Sequence, residues 1–232
     1  MRAISSMATR QVLADLTEAA AAAGLPEVDV ESVGGVDAAQ RVAAGEPFDL
    51  VFLASGALDR LAADGHVDAV TVTPLLLSQV AVAVPSGTDE PAARPDGAAF
   101  PDADGVRAAL QEAARIGYST GPSGTALVRM IEEWGLTPTV GDRLVQARPG
   151  IPVAKLLADG EVDLGFQQLS ELVGQPGVRI LGVMPDDCAI DTVFSGAVAT
   201  TAADAAAARG ILAFVASEPV AAVKAAHSFS TP

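Results

Sequence analysis

Tyr118-Ser-Thr-Gly-Pro-Ser-Gly124 and, downstream, Asp163-Leu-Gly-Phe-Gln-Gln-Leu-Ser-Glu171 decide how this chain reads. Each leads a short apolar strand into small or polar residues, and the first opens onto the amphipathic run Thr125-Ala-Leu-Val-Arg-Met-Ile-Glu-Glu-Trp134. The backbone N–H groups of Gly124 and its neighbours, with the Ser119 and Ser123 hydroxyls, therefore sit at a helix N-terminus. Such an end carries unsatisfied donors and a partial positive charge, so the two stretches predict a small-anion site facing a ligand cleft.

Working outward, strand-like and helix-like segments alternate, which predicts a mainly parallel sheet with helices on both faces. Strand Arg2 to Ser5 precedes helix Thr9 to Ala23; strand Val28 to Ser32, helix Ala38 to Ala44, strand Leu50 to Leu53 and helix Ala57 to Asp64 follow. Leu76 to Val84 reads as a longer strand, and the shift to Pro85-Ser-Gly-Thr-Asp-Glu-Pro91 marks a crossover. A second series then runs from a helix at Gly105 to a strand near Val178 to Val183. Asp191 to Ala199 reads as a strand returning to the first lobe, with helix Ala203 to Ala216 packing there. The expected architecture is α/β with two lobes, 1–82 with 190–232 and 83–189, joined by two crossover strands around a ligand cleft.

Composition bounds the function. The 232 residues are 50% hydrophobic, enough for a real core. Lys+Arg of 14 against Asp+Glu of 29 gives a formal charge of −15, which repels a phosphate backbone and excludes nucleic acid as the expected partner. A small anionic ligand is still compatible, because donors fixed in a cleft outweigh diffuse surface charge screened over about 10 Å. Cys188 is alone and reads as an inert residue. His66 and His227 lie far apart without partners at metal-ligand spacing, so neither a metal nor another cofactor is expected. Thr120-Gly-Pro-Ser-Gly-Thr125 lacks the Lys of a phosphate-binding P-loop, and no G-x-S-x-G elbow is present. No apolar run approaches the roughly 20 residues of a membrane span. Met1-Arg-Ala-Ile-Ser-Ser6 has no basic and apolar leader, so the chain as written is expected to stay in the cytoplasm.

Ligands of open α/β sheets bind at the carboxyl ends of strands. Four loops there supply candidates: Ser5 and Ser6; Ser55; Ser119, Ser123 and Gly124; and Arg148 before a helix. Each small residue has an ordinary role as an N-cap or turn former, and it is their recurrence at equivalent places that points to a ligand. Arg148 suits a bidentate grip on a carboxylate, its alternative being a surface arginine paired with solvent or with Asp142. Arg10, in the first turn of a helix, sits where cations are disfavoured, and a ligand anion would resolve the conflict. Tyr118 offers a phenol. Gln167 and Gln168, read as following a strand, offer amide donors and acceptors, one of them expected to point to water.

Taken together, Ile4-Ser-Ser6, Gly45-Glu-Pro-Phe-Asp-Leu-Val-Phe-Leu-Ala-Ser55, Ala57-Leu-Asp-Arg-Leu-Ala62 and Asp159-Gly-Glu-Val-Asp-Leu-Gly-Phe166 resemble the type II periplasmic-binding-protein superfamily, in its molybdate-binding-protein-like branch. The resemblance implies oxyanion binding by serine loops of one lobe and helix N-termini of the other, carried here by Ser6, Ser55, Ser123 and the turn from Arg148 to Ile151. Gly165-Phe-Gln-Gln-Leu-Ser-Glu-Leu172, Tyr118-Ser119 with Ser123-Gly124, and Thr192-Val-Phe-Ser-Gly196 look like the subgroup that includes aconitate isomerase. That subgroup implies an intracellular protein that holds an aconitate-like tricarboxylate and isomerises it by an allylic proton shift. The alternative is the solute-binding subunit of a molybdate-type ABC importer, partnered by a permease if exported, or a cytosolic anion sensor. No base is assigned from the sequence; a carboxylate, Tyr118 or a residue brought in by folding must supply it.

Overall fold

The computed structural model describes residues 1–232. In chain order its elements are β1 (Arg2–Ser6), α1 (Arg10–Ala22), β2 (Asp29–Val33), α2 (Gly35–Ala43), β3 (Leu50–Ala54), α3 (Ser55–Ala63), β4 (Thr73–Pro85), α4 (Ala103–Glu112), β5 (Ile116–Tyr118), α5 (Pro122–Glu133), α6 (Thr137–Val140), β6 (Leu144–Gln146), α7 (Val153–Ala158), β7 (Leu164–Gln168), α8 (Leu169–Leu172), β8 (Val178–Val183), β9 (Asp191–Val198), α9 (Ala205–Ala216) and α10 (Ala221–Ala226). They form two compact units, Met1–Leu77 with Val193–Pro232, and Ser78–Thr192. The chain passes from one to the other within β4 and returns within β9.

In unit 1 the order is β2-β1-β3-β9, the first three parallel and β9 antiparallel to β3. Strand alternation divides β3 between two cores: Leu50 and Phe52 join Leu13, Leu16, Ile211 and Leu212 under α1 and α9, while Val51 and Leu53 face Ala38, Val42 and Leu58 of α2 and α3. In unit 2 the order is β8-β4-β7-β5-β6, with β7, β5 and β6 parallel and β4 antiparallel to both β7 and β8. The sheets are thus mixed rather than mainly parallel. The physical reason is that β4 and β9 arrive as long crossover strands, without the helical return that forces a βαβ unit to be parallel.

Unit 2 is also divided by alternation. Val80, Val82, Leu164 and Phe166 pack with Leu127 and Ile131 of α5, whereas Ala81 and Ala83 meet Val153 and Leu157 of α7. Gly165 lies on this second face, where a Cβ would stand 2.8 Å from both Leu157 Cδ1 and Val153 Cγ1. Small residues there let α7 settle close to the sheet, which brings its first turn level with the end of β7.

Lys224 of α10 is 1% exposed and forms no ion pair, and burial pulls its ammonium pKa below the usual lysine value. A lowered folded-state pKa means that the unfolded chain binds the extra proton, so the residue costs stability at neutral pH and the cost fades as pH rises toward 10.5. Lys224→Met is therefore expected to raise the melting temperature at pH 7 by roughly 2 to 4 °C, with a smaller gain at pH 10. A calorimetric or fluorescence melt showing a fall at pH 7 would contradict this.

Candidate functional site

In unit 1 the carboxyl ends of β1, β2 and β3 finish along one edge, where α2 and α3 begin. Ser6 ends β1 there, its hydroxyl buried without a hydrogen-bond partner and the residue 7% exposed. Gly35, the first residue of α2, lies alongside: a Cβ on it would be 3.6 Å from that of Ser6. Neither α2 nor α3 has a side-chain cap, so their first N–H groups are unspent.

The two other candidate serines of unit 1, Ser5 and Ser55, are already engaged. Ser5 points to the opposite face of β1, fully buried, with its hydroxyl 2.7 Å from Ser32 Oγ and 3.3 Å from the Ser6 carbonyl. Ser55 donates to the Val193 carbonyl at 3.0 Å and lies 2.7 Å from Ser195 Oγ. Its single proton is committed to one of these acceptors, so it positions the start of α3 and leaves the donating to the backbone. Arg10 is exposed at the start of α1.

In unit 2 the parallel strands β5, β6 and β7 also end along one edge. The turn after Tyr118 enters α5 through Gly121 at the N-cap and Pro122 in the first turn, without a side-chain cap. Pro122 has no N–H to lose, and the amides of Ser123 and Gly124 come next. Gly124 is obligatory: a Cβ would fall 1.9 Å from the Ser119 carbonyl oxygen and 3.0 Å from Tyr118 Cδ2. Ser119 Oγ accepts from the Gly121 amide at 3.3 Å and lies 3.0 Å from Ser123 Oγ, so this hydroxyl pair keeps one proton for a further acceptor. Tyr118 is half-buried against the core, its ring beside the start of α5.

Arg148 lies beyond β6, exposed and in no ion pair, Asp142 included, and its carbonyl accepts from the Ile151 amide at 2.9 Å. The turn it occupies does not leave α7 open for an anion. Gln167 Oε1 accepts from the Val153 amide at 2.8 Å and from Ala154 at 3.4 Å, so the first donors of α7 are taken.

Gln167 and Gln168 both lie within β7 and are each 2% exposed, so the expectation that one would reach water is corrected. Alternation sends them to opposite faces, and helices cover both. Gln168 Nε2 donates to Thr192 Oγ1 at 2.7 Å, while its Oε1 is buried without a partner. Turning this amide over would let the Thr192 hydroxyl donate and free two N–H donors for a ligand.

Sequence reading missed Glu171. It sits half-buried in α8, which directly follows β7. Burial pushes its carboxyl pKa up to about 7, partly offset by hydrogen bonding from the Gln167 side chain. Because Gln167 Oε1 is occupied by α7, its NH₂ end is the part that faces Glu171. By contrast, the Cys188 thiol is pushed up to about 11 by burial and by Asp187, leaving it protonated and inert. A separate depression of about 810 Å³ in unit 2 is lined by Arg94 together with Asp96, Asp102, Asp186 and Asp187, so its lining is net negative and disfavours an anion. No group of His, Cys, Asp or Glu residues could hold a metal ion.

Against this geometry, a family model described as bacterial extracellular solute-binding protein matches residues 1–230. The chain belongs to that family. A Pseudomonas sp. aconitate isomerase is 36% identical over 186 residues, which cover 78% of this chain and 66% of that protein, just under two thirds of its length. The periplasmic molybdate-binding protein of Azotobacter vinelandii superposes with a TM-score of 0.76 at 18% identity, covering 100% of this chain and 99% of that one. The sulfate-binding protein SubI of Mycobacterium tuberculosis gives 0.73 at 17% identity, covering 99% and 85%. The solved structures fix the two-lobed type II periplasmic-binding-protein fold.

Gln167→Leu should leave two backbone N–H groups at the start of α7 without their acceptor, costing about 1 to 3 kcal/mol of stability in a denaturant melt. It should also move the Glu171 pKa further up, because the interaction that lowers it is lost. A ¹³C carboxyl titration showing Glu171 unmoved or lowered would refute that coupling.

Proposed function

We propose that this chain binds a small polycarboxylate and isomerises it by moving a double bond, the substrate being aconitate or a close analogue. The observation that carries this reading is the 36% identity with aconitate isomerase across 78% of the chain. The site chemistry supports it. In unit 1 the uncapped helix starts and the free Ser6 hydroxyl, and in unit 2 the uncapped start of α5 with the Ser119–Ser123 pair, are each donors suited to a carboxylate. In unit 2, Ser123 and the Gly124 amide are assigned to carboxylate binding, with Arg148 and Gln168 as further polar candidates; in unit 1, Ser6 is a separate candidate donor. In an allylic shift, negative charge spreads from carbon onto a carboxylate, and fixed N–H donors stabilise that charge more than the ground state.

A second reading, an oxyanion receptor, draws on the same donors and on the fold shared with molybdate- and sulfate-binding proteins. The two readings separate in one assay. Purified protein at a ligand excess of about 100-fold over Kd gains about 2.7 kcal/mol. The expected outcome is a melting shift with trans-aconitate, weaker or no shift with molybdate and sulfate, and accumulation of cis-aconitate by NMR. Tight molybdate binding with inert aconitate would replace the isomerase reading by the receptor.

A further inference from the structure

We infer that Thr192 is a positioning residue: it orients Gln168 so that the Gln168 NH₂ group faces the start of α5 and donates to a ligand carboxylate. This deepens the polycarboxylate reading above and rests on it.

Register and strand alternation place Gln168 beside the open donors of unit 2. Gln168 pairs with Val80, and Val80, Phe166 and Ile190 all belong to the core that Leu127 and Ile131 of α5 help to build, so Gln168 lies on the α5 face of the sheet. Two residues back along β7, on the same face, Phe166 is level with Tyr118 of β5. The Tyr118 ring adjoins the first turn of α5, its Cδ2 3.0 Å from where a Gly124 Cβ would stand. Because α5 runs back against β5, Ser123 and Pro122 lie beyond Gly124 in the direction in which Gln168 lies beyond Phe166. Gln168 is therefore level with the uncapped first turn of α5.

The polar groups on this patch do not satisfy one another. Gln168 is 2% exposed and Ser78 0%, and both Gln168 Oε1 and Ser78 Oγ are buried without a partner. Ser78 precedes Val80 by two residues in β4, and Thr192 follows Ile190 by two in β9. The Val80 amide donates to the Ile190 carbonyl at 3.0 Å, so Ser78 and Thr192 are antiparallel neighbours on the α5 face. Thr192 anchors the amide, its Oγ1 2.7 Å from Gln168 Nε2. Buried polar groups are as a rule paired, so two unspent ones on one patch beside an open helix start mark a place for a ligand's polar atoms.

The Thr192 contact is compatible with either sense of the amide. With the nitrogen on Thr192, a bare carbonyl oxygen is turned to the site, an acceptor without a donor. With the oxygen on Thr192, the threonine hydroxyl supplies the proton and the NH₂ group is free. The second sense agrees with its neighbours: the Ser123 and Gly124 amides and the Ser119–Ser123 hydroxyl pair all offer protons, and they draw negative charge that a carbonyl oxygen would repel. The strands around Gln168 bring no charge to this face. β4, β5 and β7 carry none, and Asp191, next to Thr192 in β9, is exposed on the opposite face. Neutral donors fixed in this way fit an ionised carboxylate rather than a hydroxyl or a protonated acid, whose own proton would need an acceptor.

The test compares wild type, Thr192→Ser, Thr192→Val and Gln168→Glu by calorimetry with trans-aconitate. Thr192→Val keeps the shape and loses the hydroxyl that anchors the amide; its Kd is expected to rise about tenfold or more, while Thr192→Ser stays within about threefold of wild type. Gln168→Glu replaces the NH₂ group by a second oxygen. Relative to wild type at the same pH, its Kd is expected to rise about 100-fold or more at pH 8, where two carboxylates meet, and to recover at least about tenfold at pH 5.5, where the glutamic acid keeps a proton to donate. An equal loss at both pH values overturns the donor sense, because a residue that only holds β7 to β9 gives no such recovery. Wild type alone carries the test if the variants fail to fold: the Gln168 side-chain ¹⁵NH₂ signals are expected to shift on saturation with trans-aconitate. Unmoved signals, or Thr192→Val binding within threefold of wild type, overturn the inference and leave the polycarboxylate reading standing. Wild type that binds molybdate and not trans-aconitate overturns that reading, and this inference with it.

Discussion

One side-chain amide, that of Gln167, sets the arrangement of the unit 2 edge. Its oxygen takes the first two donors of α7 and its nitrogen faces the Glu171 carboxyl, so a helix start, a strand end and a titrating group are tied together. Gly165, two residues earlier on the same face of β7, lets α7 come close enough for the bond to form. A consequence follows for anion binding: with α7 capped from inside, the open donors of this edge are those of α5. There Gly124 is required for a different contact, the close approach of the Ser119 carbonyl.

The chain carries a formal charge of −15 yet presents anion-binding chemistry, and the two facts are compatible because of distance. Surface carboxylates act through water and salt, screened within about 10 Å. Backbone N–H groups at helix starts act at hydrogen-bond range, where a fixed dipole outweighs distant repulsion. The donors found here are mostly neutral amides and hydroxyls. Such donors suit a carboxylate without the desolvation cost of burying a cation beside it.

The order of strands and helices was legible because amphipathic runs and Gly/Pro stops are local properties. The Gly/Ser turn before α5 was legible for the same reason, its proline and small residues marking a helix start. What depended on tertiary contacts was not. The mixed direction of the sheets follows from how β4 and β9 enter them. Ser5 and Ser6 are adjacent in sequence, but strand alternation sends one to Ser32 and leaves the other with a free hydroxyl. Gln167 and Gln168 read as following a strand with one of them reaching water, whereas both lie within β7 and are buried. Glu171 lies in a four-residue helix too short to show a period, and its raised pKa is created by burial that no local pattern encodes.

The central claim is that the unit 2 edge offers its open donors to a ligand carboxylate. A crystal structure with trans-aconitate bound tests it most directly. The account predicts a carboxylate oxygen at about 2.7 to 3.2 Å from the Ser123 and Gly124 amides. A carboxylate seated away from α5 would contradict it.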